Sequence, residues 1–243
     1  MKKIICLISI ILIVYSIYYF NNDNKITYLS LGDSLSLGVD SSGNVNYGYS
    51  NYLANYLKEK DLLKNYNNDF SFNGARIKDL LNAIEINKII KKGNKSLSLK
   101  KCLREANFIT LSIGMEDVLS KITFSTNSVE NLKNSDIKEL SKETLKDLEL
   151  LFKELRKYNK KDIIFIGYYN LFNSNDIKIE RLYSYLIAKT KSLTKKYQIK
   201  YLDIYSLFKK NKDYLKNPTN FYPSSIAYEN IAIEIIEKYL SKY

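Results

Sequence analysis

Residues 26–31 form a short apolar run that stops at Gly32-Asp33-Ser34-Leu35. A run of this length bounded by turn residues reads as a buried strand. The glycine lets the backbone turn sharply, and Ser34 is left at the strand's C-terminal end. Further runs of the same kind lie at 108–113, 161–166 and 199–203. Between the runs apolar residues recur at helical spacing, as in Tyr49, Tyr52, Leu53, Tyr56 and Leu57, so helices separate the strands. Strands alternating with helices imply a parallel sheet covered on both faces. In open sheets of this kind ligands bind beyond the C-terminal strand ends, which is where Ser34 sits.

The same reading places helices over 47–64 and 76–91, the second closed by Gly93, and a short second strand over 69–73. One or two helical turns are expected over 97–106. The polar stretch 115–136 reads as a loop or insertion. A long amphipathic helix covers 136–158, with Leu145, Leu148, Phe152 and Leu155 inward, and further helices cover 177–197 and 224–241. The expected fold class is α/β: a single-domain three-layer sandwich around a mostly parallel five-stranded sheet. No repeat or linker divides residues 25–243, and 45% apolar residues suffice to fill one core of that size.

Residues 1–24 read as a separate segment. Lys2 and Lys3 precede the uncharged, mostly apolar residues 4–20, a run at the lower limit for a membrane span. No small-residue cleavage site follows it, since the run ends in Tyr18-Tyr19-Phe20. The expectation is an uncleaved signal anchor in the cell membrane, with the lysines on the cytoplasmic side and residues 25–243 outside. The alternative is secretion after signal cleavage. The formal net charge is +12, almost all of its positive part from Lys. That is either a bias of the whole composition or an attraction to anionic partners such as wall polymers or lipid headgroups. Nucleic acid is not expected, because no binding motif is present and Arg is scarce.

Of two cysteines, Cys6 lies in the N-terminal run, so the domain has Cys102 alone and no internal disulfide. The chain contains no histidine. No imidazole can bind a metal or act as a base, and no metal or cofactor is expected.

Four short blocks, in order and at plausible spacing, resemble the SGNH hydrolases, the GDSL esterase/lipase family. They are Gly32-Asp33-Ser34-Leu35, Asn73-Gly74-Ala75, Gly114-Met115-Glu116-Asp117, and Thr219-Asn220-Phe221-Tyr222-Pro223 followed by residues 224–228. Gly167-Tyr168-Tyr169-Asn170 also resembles a strand end of membrane-anchored bacterial members. The resemblance covers residue 26 to the C-terminus and implies a flavodoxin-like SGNH sandwich. It also implies Ser34 as nucleophile, with Gly74 and the third-block position in the oxyanion hole, and Asp33, Gly114 and Asp117 in support.

The departures are chemical. The family's oxyanion-hole Asn falls on Glu116, its catalytic His on Tyr222 and its Asp on Thr219. A serine hydroxyl needs a neighbouring base, and ester hydrolysis needs that group to return the proton to the leaving alcohol. A phenol, titrating at about 10, substitutes poorly. A charged Glu116 would repel a developing oxyanion, whereas a protonated one would donate to it, and an ionised one reaching Ser34 would be a base.

Each residue also has a plainer reading. Ser34 finishes a turn, Gly74 serves a backbone conformation, and Asp33 and Asp117 stabilise loops. Tyr222 packs or stacks on a ligand, and Tyr47, Tyr49 and Tyr52 are helix core. The expected function is binding of an acylated glycan or lipid-like ligand in the family cleft by a catalytically impaired, extracytoplasmic protein. The alternatives are an active serine esterase using Ser34 and a non-standard base, and a structural or interaction protein of the envelope. Nothing in the sequence sets the oligomeric state.

Overall fold

The computed structural model describes residues 25–126, 134–171, 176–216 and 221–241, with side chains described outside 121–137 and 140. The expected anchor, residues 1–24, lies outside them. Among the described residues no helix is long and apolar enough to cross a membrane.

The chain runs β1 (Ile26–Gly32), α1 (Ser34–Leu37), α2 (Tyr49–Glu59), β2 (Leu63–Asn67) and α3 (Ile77–Glu85). A hairpin of β3 (Ile89–Lys92) and β4 (Lys95–Ser98) follows, then α4 (Leu99–Glu105), β5 (Phe108–Ser112), α5 (Met115–Thr126) and α6 (Asn134–Tyr158). The last part is β6 (Asp162–Ile166), α7 (Ile177–Lys196), β7 (Lys200–Leu202), α8 (Tyr205–Lys210) and α9 (Ser225–Ile235).

Five strands form one sheet in the order β2-β1-β5-β6-β7, every pair parallel. From β1 the chain steps out to β2 and then crosses back to pair β5 on the other side of β1. The strand order therefore reverses between β1 and β5, and a crevice opens at their C-terminal ends.

Alternation along each strand divides the core into two layers. Leu29 and Leu31, Ile109 and Leu111, and Ile163 and Phe165 face one side, against Ile77 and Leu80 of α3, Leu148 and Phe152 of α6, and Leu182 of α7. Tyr28, Phe108, Ile164 and Ile166 face the other, against Tyr49, Leu53 and Leu57 of α2 and Tyr228 and Ile231 of α9. Both layers exclude water, so the inner strands need no polar face and read as continuous apolar runs. Cys102 is a free, half-buried thiol packed against the first layer.

Four expectations are corrected. The second strand is Leu63–Asn67, not 69–73, and the preceding helix ends at Glu59. This is an edge strand, its side chains half exposed, so the apolar signal that marks inner strands is absent. The helix expected over 76–91 ends at Glu85. Asn87 there takes a positive φ of 52°, and Gly93 turns a β-hairpin instead of closing a helix. The stretch 115–136 contains helix α5 over Met115–Thr126.

Candidate functional site

The site begins with a close backbone approach between the two central strands. Gly32 has φ of +132°, and a Cβ there would stand 1.7 Å from the Ser112 carbonyl oxygen. Only glycine fits. Asp33 N then donates to that same carbonyl at 2.9 Å. The chain turns into α1, whose N-cap is Asp33. Leu35 N donates to Asp33 Oδ1 at 3.1 Å, the ordinary way an Asx side chain satisfies a helix start. Ser34 is the first residue of α1, half-buried at the mouth of the crevice.

Asp33 and Ser34 line one wall of a cleft. Met115 and Glu116, which open α5 beyond β5, also line it, as do Tyr169 at the end of β6 and Tyr222 before α9. Two hydrogen bonds from buried tyrosines hold the segments around it. Tyr169 Oη donates to the Phe221 carbonyl at 2.8 Å. Tyr228 Oη, from α9, donates to the Val39 carbonyl just past α1 at 2.6 Å. The Tyr222 hydroxyl donates to the Asn73 side-chain oxygen at 3.3 Å.

Not every expected site residue arrives here. Gly74 is exposed and lines a neighbouring depression with Phe72, Asn82 and Lys88, not the Ser34 cleft. Its neighbour Asn73 reaches the cleft through Tyr222. Gly114, at φ of +108°, makes the turn out of β5, and a side chain there would press on the Tyr168 hydroxyl at 3.1 Å. Asp117 is buried and accepts from Ile77 N at 3.1 Å, so its carboxylate caps α3. Thr219 lies outside the described residues. Tyr49 and Tyr52 pack in α2, while Tyr47 is exposed with its ring against Tyr52 at 4.7 Å.

Two carboxyl groups share the cleft. Burial pushes the Asp33 carboxyl up from 3.8 to about 7; hydrogen bonds from Ser112 and Leu35 oppose the rise, and the Glu116 charge adds to it. Burial also raises Glu116; the Arg76 guanidinium opposes that shift and the Asp117 charge adds to it. Among the described residues no cluster of His, Cys, Asp and Glu could hold a metal ion.

Behind Asp33 lies a run of buried hydroxyls absent from the sequence reading. Ser112 Oγ is 2.7 Å from Asp33 Oδ1 and 2.8 Å from Ser36 Oγ. Ser36 Oγ donates to the Leu31 carbonyl at 2.5 Å and is 3.0 Å from Tyr49 Oη. Tyr49 in turn donates to Thr110 Oγ1 at 3.3 Å, and Thr110 meets Tyr28 Oη at 2.8 Å. The signal for these residues was available. Thr110 and Ser112 stand two apart in the apolar strand Phe-Ile-Thr-Leu-Ser, on one face of it, and buried hydroxyls of this kind require partners.

A family model described as GDSL-like Lipase/Acylhydrolase matches residues 28–235. Among solved structures, the lipase Lip_vut3 from a goat rumen metagenome is similar at 21% identity and a TM-score of 0.66, covering 86% of this chain and 95% of that one. Axe2, an acetylxylan esterase from Geobacillus stearothermophilus, is similar at 16% identity and a TM-score of 0.62, covering 86% of this chain and 92% of that one. None of the curated proteins compared matches the chain.

Proposed function

From the premise that this chain belongs to the GDSL-like lipase/acylhydrolase family, we propose that its cleft binds an acylated glycan or lipid-like ligand with little or no turnover. One observation carries the reading. The residue that the sequence resemblance aligns with the family's base is Tyr222, whose hydroxyl donates to Asn73, in a chain without a single histidine. A hydroxyl that gives its proton to an amide oxygen is not poised to take one from Ser34, and a phenol replaces an imidazole poorly as a general base. Losing the base of a serine triad costs on the order of a millionfold in turnover. What binding and an oxyanion hole still supply is about 10³ to 10⁴ over water. The ligand class is supported by the family and by the two neighbours, whose names denote a lipase and an acetylxylan esterase.

Glu116 favours a second reading, an active esterase. Its carboxyl lies in the same cleft as Ser34 and is raised by burial. A carboxyl so placed is a candidate non-standard base or, when protonated, an oxyanion donor.

One experiment separates the two. The full-length protein is treated with a fluorophosphonate probe and short-chain aryl esters, beside Ser34→Ala. The binding reading expects no labelling above the Ser34→Ala background and no Ser34-dependent turnover. Labelling and turnover that vanish in the variant would establish the esterase instead. We place the domain outside the cytoplasmic membrane, held by residues 1–24, on the strength of their apolar run after Lys2 and Lys3. Release of the domain into the medium by signal cleavage would refute the anchor.

A further inference from the structure

We infer that in mildly acidic solution the folded protein keeps the Asp33 carboxyl proton, that the short Asp33–Ser112 hydrogen bond then runs from Asp33 to Ser112 Oγ and not from Ser112 to a carboxylate, and that Asp33 in that form positions the turn that carries Ser34. The inference rests on counting protons along the buried hydroxyls and does not depend on what the cleft binds. A carbonyl oxygen only accepts, so Ser36 Oγ must give its single proton to the Leu31 carbonyl, 2.5 Å away. The 2.8 Å contact between Ser36 and Ser112 then needs its proton from Ser112. An ionised Asp33 would require that same proton for the 2.7 Å contact at Oδ1, because a carboxylate also only accepts. Ser112 has one proton and two claims on it. One of the two short contacts would be left with two oxygens and no hydrogen between them.

A protonated Asp33 removes the deficit along Asp33, Ser112 and Ser36; the longer 3.0 Å Ser36–Tyr49 contact is filled when Tyr49 gives its proton to Ser36 in place of the more distant Thr110. The Asp33 hydroxyl donates to Ser112, Ser112 donates to Ser36, and Ser36 donates to Leu31. The same oxygen, Oδ1, also takes the Leu35 amide at 3.1 Å. It must therefore donate and accept at once. A carboxylic acid hydroxyl does both, whereas a carboxylate only accepts and an amide group does one or the other at each atom.

The surroundings favour the neutral form. Asp33 is buried. The titratable groups that face it are Glu116 from α5, Tyr49 from α2, Tyr168 and Tyr169 beyond β6, and Tyr228 from α9. None of these carries a positive charge, so no cation stabilises an ionised carboxyl, and only hydrogen bonds such as those from Leu35 and Ser112 favour that form. Burial acts in the same direction, holding the group near 7. Asp33 is thus a positioning residue: through its carboxyl hydroxyl it ties the first turn of α1 to the end of β5.

The test is a carboxyl carbon NMR titration of the full-length protein, with the Asp33 signal assigned by its loss in Asp33→Asn. The wild-type midpoint is expected near neutrality. The chain has no histidine, so the α-amino group is the one other group that ordinarily titrates there. Ser112→Ala decides the direction of the hydrogen bond. If Asp33 donates to Ser112, removing the acceptor penalises the protonated form and the midpoint falls. If Ser112 donates to a carboxylate, removing the donor penalises the ionised form and the midpoint rises. Ser36→Ala gives a second reading, since it frees the Ser112 proton for an ionised Asp33 and again lowers the midpoint. A wild-type midpoint in the ordinary carboxylate range of about 4 would overturn the inference. So would a midpoint that is unchanged or raised in Ser112→Ala or, should that variant not fold, in Ser36→Ala.

Discussion

A single carboxyl decides much of how this site responds to pH. Asp33 is raised from 3.8 to about 7 by burial, while in the unfolded chain it ionises near its ordinary value. Below about pH 4 both states hold the proton. Between about 4 and 7 the folded state keeps a proton that the unfolded state has lost, so the unfolding free energy falls as pH rises. Over that window the loss from this one group is about 4 kcal/mol, and it is complete above 7. Asp40 and Glu149, whose carboxyls are lowered by the Asn46 and Lys196 side chains, act in the opposite sense and only at lower pH. Denaturant unfolding of wild type and Asp33→Asn at intervals from pH 4 to 8 checks this. The wild type is expected to lose stability steeply through the window and the variant to lose less, since the raised Glu116 carboxyl remains in it; parallel curves would refute the assignment. Ser34 itself was legible as a residue at a strand end. The role of Asp33 was not, because it depends on Ser36 and Ser112, the latter 79 positions away in sequence.

At the scale of elements, the cleft is assembled from starts of helices. α1 begins on Asp33 and α5 carries Glu116 in its first turn; α3, which does not line the cleft, begins on an amide held by Asp117 of α5. Asp117→Ala removes the acceptor from Ile77 N and leaves a buried donor at the start of α3. The expected cost is about 1–2 kcal/mol in chemical denaturation, with an unchanged m value because the core exposed on unfolding is the same. A fall in m would mean that α3 no longer docks. Inner strands and long helices were legible from periodicity. β5, for example, is buried at every position. The edge strand β2 was not, since Leu63–Asn67 presents half its length to solvent. The hairpin was not, because 84–91 keeps apolar residues at spacings a helix would also give; the left-handed turns at Asn87 and Gly93 end that possibility. Helix α5 was not, because the polar residues 127–136 that follow it dilute the apolar Met115, Val118 and Leu119 when 115–136 is read as one stretch.

For the whole molecule the governing quantity is charge. Thirty-eight cationic side chains face 26 acidic ones, and described ion pairs such as Lys78–Glu143 and Lys101–Glu105 lie on the surface, more than half exposed. Exposed pairs of this kind contribute about 0–1 kcal/mol each, while a net +12 opposes compaction through self-repulsion. Salt screens both over about 10 Å at 0.1 M. Raising ionic strength from about 10 to about 150 mM is therefore expected to raise the melting temperature, by about 2–4 °C for each kcal/mol of repulsion relieved. A fall in scanning calorimetry would mean that the surface pairs outweigh the repulsion. The sequence by itself determined the parallel α/β architecture, the strand end that carries Ser34 and the absence of an imidazole base. Those follow from periodicity and residue type, which are local properties of the chain. The tertiary structure alone decided that Gly74 stands outside the cleft, that Tyr222 turns its hydroxyl to Asn73, and that Asp33 meets a run of buried hydroxyls. Each of these depends on segments far apart in sequence being brought within hydrogen-bonding distance, and on which groups are removed from water when they meet.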